Sequence, residues 1–183
     1  MRSDVNPEKI DRLMQALGRE AQSPGCIYFT GGTSALLLGW RNSTVDVDIR
    51  LDPEPEGIFD AIAKLKQQLN INIELASPQD FLPPLSGWRD RSVFIGKYGQ
   101  VFFYHYDFTS QALSKLSRGF DRDLRDVHAM YGYQLFSLQD LADGLDAIRP
   151  QLIRYPSLNP DVINTRIIDF IQSYQSDRED RRL

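Results

Sequence analysis

Apolar residues at Ile10, Leu13, Met14 and Leu17 recur at the spacing of one helical face. A full start signal precedes them: Asn6 to cap, Pro7 at the first helical position, Glu8 against the dipole. A helix over 6–21, lying across a sheet, is predicted, and Gln22-Ser23-Pro24-Gly25 ends it. An apolar strand over 25–30 follows. Residues 45–51 alternate as a second strand, with Val47 and Ile49 on the buried face. After the turn 52–57, Ile58, Ile62, Leu65 and Leu69 mark an amphipathic helix, and 71–75 alternates again, Ile71, Ile73 and Leu75 opposing Asn72 and Glu74. The Pro-rich stretch 77–85 reads as a loop whose Phe81, Leu82 and Leu85, with Trp88, need burial. Residues 92–107 read as a hairpin turning near 96–100. Both faces of its second strand are apolar or aromatic, which suits a covered strand packed in the core better than a surface for stacking bases, and His105 reads as a structural histidine.

In 109–131, Leu113, Leu116, Phe120, Leu124, Val127 and Tyr131 keep helical phase as an apolar stripe, and Gly119 is the place where that helix would break. Lys115, Arg118 and Arg122 fall opposite the stripe, with Arg125 and Asp126 at its margins. That face overlooks a phosphate if it turns toward a site and is merely solvated if it does not. Ser137 caps a helix running to Ile148, 150–160 is a connector, and a last helix precedes a charged tail, 177–182, expected to fray. The pattern is that of an α/β protein: a mixed sheet of about five strands with flanking helices over 1–108, and a C-terminal helical subdomain packed on it over 109–183.

Composition narrows the class. The 183 residues are 42% hydrophobic and 25% charged, as in an ordinary globular chain, and the net charge of −4 argues against coating nucleic acid by bulk charge. The single cysteine, Cys26, permits no intrachain disulfide and reads as a buried thiol. No apolar run approaches bilayer length and no signal-peptide core opens the chain, so a cytoplasmic protein with no membrane partner is expected.

Chemistry concentrates in 31–48. Asp46 and Asp48, two apart on a strand, project side by side, and two adjacent carboxylates repel unless a cation lies with them. Oxygen-only ligands of this kind suit Mg²⁺ or Mn²⁺. Gly31 and Gly32 let backbone approach a ligand, and Thr33 and Ser34 open a helix whose N–H groups favour phosphate. The plain alternative is a tight turn followed by a solvated strand edge.

Gly-Gly-Thr, twelve residues, then Asp-Val-Asp, with Arg41 and Thr44 just ahead of the pair, resembles the signature of the DNA polymerase β-like nucleotidyltransferases. That superfamily has a third carboxylate on a later strand, which Glu74 would supply. Lys115-Leu116-Ser117-Arg118 and Arg122-Asp123-Leu124-Arg125-Asp126 resemble elements of the AbiEii and MenT-like toxin nucleotidyltransferases, and with Ser77-Pro78-Gln79-Asp80-Phe81-Leu82-Pro83 the likeness spans roughly 26–131. The resemblance implies nucleotidyl transfer from an NTP, assisted by Mg²⁺ or Mn²⁺ on Asp46, Asp48 and Glu74. It implies phosphate binding by Gly31, Gly32, Thr33, Ser34, Lys115 and Arg118, with Asp123 and Asp126 supporting activity. It further implies an RNA (tRNA-like) or protein acceptor and the toxin role in a toxin–antitoxin pair, with a cognate antitoxin as partner. Two other readings stand beside it: a catalytically weakened binding or antitoxin-like partner of the same fold, and a non-enzymatic module with a structural cation.

Overall fold

The computed structural model describes residues 4–155 and 158–180, and for 176–180 the backbone alone. By its internal contacts the chain forms two compact units, one of residues 1–77 and 89–107, the other of 78–88 and 108–183. The sequence boundary between 108 and 109 falls one residue from the later crossing, whereas the Pro-rich segment 78–88 joins the helical unit.

The first unit holds α1 (Pro7–Glu20), β1 (Gly25–Phe29), α2 (Gly31–Leu37), β2 (Asp46–Leu51), α3 (Ile58–Gln68), β3 (Asn72–Leu75), β4 (Val93–Tyr98) and β5 (Val101–His105), and a short α4 (Trp88–Arg91) leads into β4. The start of α1 is built as its sequence dictates: Asn6 Oδ1 accepts the Lys9 N–H at 2.9 Å and Pro7 opens the helix. The strands form one mixed sheet in the order β3-β2-β1-β5-β4. β1 runs antiparallel to β2 and parallel to β5, β2 is parallel to β3, and β4 is antiparallel to β5. One sheet face carries Ile27, Phe29, Val47, Ile49, Ile73 and Phe103 into a core shared with Ile10, Leu13 and Leu17 of α1 and Ile58, Ile62 and Leu65 of α3. β5 lies inside the sheet, as its doubly apolar pattern predicts. Leu75, expected on the buried face, is 57% exposed, because β3 is the edge strand and little covers its end. Cys26 is half-buried, and burial pushes its thiol up from the ordinary value.

The second unit contains α5 (Phe108–Arg118), α6 (Asp121–Gly132), α7 (Leu138–Ile148) and α8 (Pro160–Asp180). Ser137 and Asp140 close a capping box at the start of α7. In the Pro-rich segment Leu82, Leu85 and Trp88 are buried as expected, but Phe81 is partly exposed and lies under the Arg118 guanidinium, 4.8 Å from the ring centre. The backbone of α8 continues to Asp180, within the tail expected to fray, while residues 181–182 of that tail and 156–157 of the connector lie outside the described residues.

Gly119, at φ +69°, separates α5 from α6. A side chain there would strike Arg166, which donates to the Ser117 carbonyl oxygen at 2.6 Å and caps the end of α5. Because the helix breaks, the stripe expected through 109–131 is interrupted and Phe120 is 66% exposed. The break also overturns the cationic face. Every residue from Phe108 to Ser117 is buried, Lys115 included, while Arg122 is exposed on α6. Lys115 Nζ donates to Asp126 Oδ2 at 2.6 Å and to Asp123 Oδ1 at 3.2 Å. Arg118 makes a two-pronged bond to Asp123, at 3.0 and 2.9 Å. Burial alone would raise the Asp123 carboxyl, but the Arg118 hydrogen bonds and the Lys115 and Arg118 charges outweigh it and hold it below the usual range.

These four side chains lock α5 to α6, so removing one leaves buried charge behind. Lys115→Ala should cost about 3–5 kcal/mol, whereas Arg122→Ala should stay within about 0.5 kcal/mol, both read by urea denaturation. The Asp123 contribution should be intact above ~3.9 and be lost only as the pH falls below it, through the depressed folded value.

Candidate active site around Asp46, Asp48 and Gly31

The entry to β2 is fixed before its carboxylates appear. Val5 and Thr44 exchange backbone hydrogen bonds at 2.8 and 3.1 Å, and Thr44 Oγ1 donates to the Asp46 carbonyl oxygen at 3.2 Å. Val47 and Ile49 are fully buried, so the alternating Asp46 and Asp48 stand on the opposite face, half-buried. The parallel pairing with β3 places Asp46 opposite Asn72 and Asp48 opposite Glu74. Asn72 Nδ2 donates to Asp46 Oδ1 at 2.8 Å and to Glu74 Oε1 at 2.6 Å. Those two carboxylate oxygens are therefore no farther apart than the two distances laid end to end.

The Gly31–Ser34 turn is shaped by the same strand. Gly31 has φ +57°, and a Cβ there would lie 2.7 Å from Asp48 Oδ2, so only glycine lets the carboxylate rest against the backbone. A Cβ on Gly32 would lie 2.3 Å from Thr44 Oγ1 and 3.3 Å from Arg41 Nη1, which brings the guanidinium to the same turn. Thr33 and Ser34 are fully buried, so their hydroxyls point inward rather than to solvent. Thr33 Oγ1 is buried with no hydrogen-bond partner. Ser34 Oγ donates to the Phe29 carbonyl oxygen at 3.1 Å and lies 3.0 Å from His105 Nδ1. Burial lowers the His105 pKa to about 4.

Asp46, Asp48 and Glu74 thus share one face and one register. They are not drawn into a common ligand cage: among the described residues no three Asp, Glu, His or Cys side chains are set to hold a metal ion. The chemistry of the donor set nevertheless fits a hard cation, since all three groups are carboxylates on one partly open face. Lys115, Arg118, Asp123 and Asp126 belong to the helical unit and are engaged with one another. Sequence reasoning did not assign roles to Asn72 or to the Ser34–His105 contact. Asn72 was legible only as a residue sharing the Glu74 face, and the second contact joins positions 71 residues apart.

A neutral buried histidine makes stability depend on pH. Between about 6.5 and 4 the unfolded chain takes up a proton that folded His105 refuses, so stability should fall across that window as the pH drops, by roughly 3 kcal/mol at most. His105→Asn should flatten this dependence in denaturant titrations at either end of the window.

No helix of the described residues is long and apolar enough to cross a membrane. No curated protein and no solved structure matches the chain. A family model described as "Nucleotidyltransferase of unknown function (DUF6036)" matches residues 8–152. That match supports the nucleotidyltransferase superfamily, and not the AbiEii and MenT-like group in particular. With most of its length covered, including the Gly-Gly-Thr turn and the Asp-Val-Asp strand, the chain belongs to this family of nucleotidyltransferases.

Proposed function

We propose that the chain is a metal-dependent nucleotidyltransferase that moves a nucleotide from an NTP to a hydroxyl of an RNA (tRNA-like) or protein acceptor, as the toxin of a toxin–antitoxin pair. The observation that carries the catalytic part is the register of β2 and β3, which sets Glu74 opposite Asp48 while Asp48 rests on Gly31. The toxin role and the acceptor class rest on the sequence resemblance alone.

In this reading Asp46, Asp48 and Glu74 hold Mg²⁺ or Mn²⁺, which when bound offsets the charge of the triphosphate and lowers the pKa of a coordinated hydroxyl. The backbone of Gly31 and Gly32 receives phosphate oxygens with the Arg41 guanidinium beside it, and the unpartnered Thr33 Oγ1 is a polar group left for a ligand or water at the same turn. Glu74, exposed on the edge strand, accepts the proton of the acceptor hydroxyl. The acceptor oxygen bonds to the α-phosphorus, the bond to the bridging oxygen breaks, and pyrophosphate leaves. Both cations carried over by resemblance act through the fold of the helical unit: Arg118 grips Asp123 through two bonds, and Lys115 is the centre of the pairing with Asp123 and Asp126.

Transfer of label from an NTP in the presence of Mg²⁺ tests the reading. Asp46→Asn and Asp48→Asn each remove a charge without changing size, so the fold should survive while transfer falls at least ~100-fold. Full activity in either variant would overturn the metal assignment. Glu74→Gln should abolish transfer while NTP binding, measured by calorimetry, stays mostly intact. A silent Glu74→Gln would make it an ordinary solvated strand acid.

A further inference from the structure

Ser34 has a single hydroxyl proton, and its geometry commits that proton to the Phe29 carbonyl oxygen. The 3.0 Å contact with His105 Nδ1 must then run the other way, with Nδ1–H donating to Ser34 Oγ. A neutral imidazole carries one proton, so this bond fixes the tautomer with that proton on Nδ1. His105 and Ser34 are 5% and 0% exposed, and nothing in that bond is shared with solvent. Phe29 ends β1, and His105, paired with it in register, ends β5. The chain Nδ1–H to Oγ, Oγ–H to carbonyl therefore ties the ends of two central strands to the first turn of α2.

That turn tolerates little displacement. Gly31 sits at φ +57°, against Asp48 Oδ2, and Gly32 sits against Thr44 and Arg41. A seven-residue helix is too short to hold such a turn by propensity. We infer that His105 is a positioning residue, which through Ser34 holds the Gly31–Gly32 turn in the geometry that seats Gly31 on the Asp48 carboxylate. The structural half of this inference stands alone; its kinetic half rests on the function proposed above. Low-pKa burial is consistent with the role, because a histidine kept neutral at neutral pH keeps one defined tautomer.

Hydrogen–deuterium exchange over 29–37 tests the structural half without any substrate. His105→Leu keeps most of the bulk but removes the donor, and Ser34→Ala removes the link. Each should speed exchange in that segment by ~10-fold, the double variant should be no faster than either single, and His105→Asn, which restores an N–H, should recover protection. Unchanged exchange in folded His105→Leu, or losses that multiply in the double variant, would overturn the inference. Should His105→Leu fail to fold, Ser34→Ala against His105→Asn gives the same comparison. In the labelled-NTP assay the singles should raise KM for the NTP ~10-fold with kcat little changed. A purely structural histidine would lower the melting temperature and leave KM alone, which would also overturn it. Altered exchange in a protein that neither binds nor uses any NTP would sink the proposed function and leave the positioning role standing.

Discussion

Burial of Val47 and Ile49 is the constraint on which the site depends. Both are fully buried in the core beneath the sheet, and strand alternation then leaves Asp46 and Asp48 no other face. A slip of one residue would drive two carboxylates into that core, so the register is strongly specified. Everything at the site inherits this register: Glu74 and Asn72 through β3, Gly31 through the Asp48 carboxylate, Gly32 through Thr44. Hydrophobic packing on one side of a sheet thereby sets the polar chemistry on the other.

The two units handle their acids in opposite ways. In the helical unit Asp123 and Asp126 are buried and met by Lys115 and Arg118, with short, well-aligned bonds. Charges so placed have already spent their attraction on offsetting desolvation, and exchanging partners would be costly. In the sheet unit Asp46 and Asp48 are half-buried and Glu74 is exposed, and the Asn72 amide bridges two of the three. An amide hydrogen bond to a carboxylate at a partly open face is worth about 1.5–3 kcal/mol, so it holds these side chains less firmly than the buried ion pairs do theirs. The difference in burial separates acids committed to holding a fold from acids left partly open to solvent.

Local pattern alone determined a large part of this protein. Helix α1 with its Asn6 cap, the alternation that puts Asp46 and Asp48 on one face, the interior position of β5 and the break at Gly119 are all readable from residues within a few positions of each other. They are local because caps, strand alternation and glycine backbone preferences act over one or two turns of chain. The Gly-Gly-Thr and Asp-Val-Asp elements were equally legible, and they led to the nucleotidyltransferase superfamily, though not to a particular group within it.

Tertiary structure decided what those residues touch. The sequence put Lys115 opposite an apolar stripe; the turn at Gly119 folded α6 against α5 and enclosed it between two aspartates. Phe120 lost its place in the core for the same reason, and Leu75 lost its own because β3 became an edge. The pairing of Glu74 with Asp48 and of His105 with Ser34 joins segments tens of residues apart. No local periodicity encodes such contacts, since they exist only once the strand order is set by which apolar faces bury together.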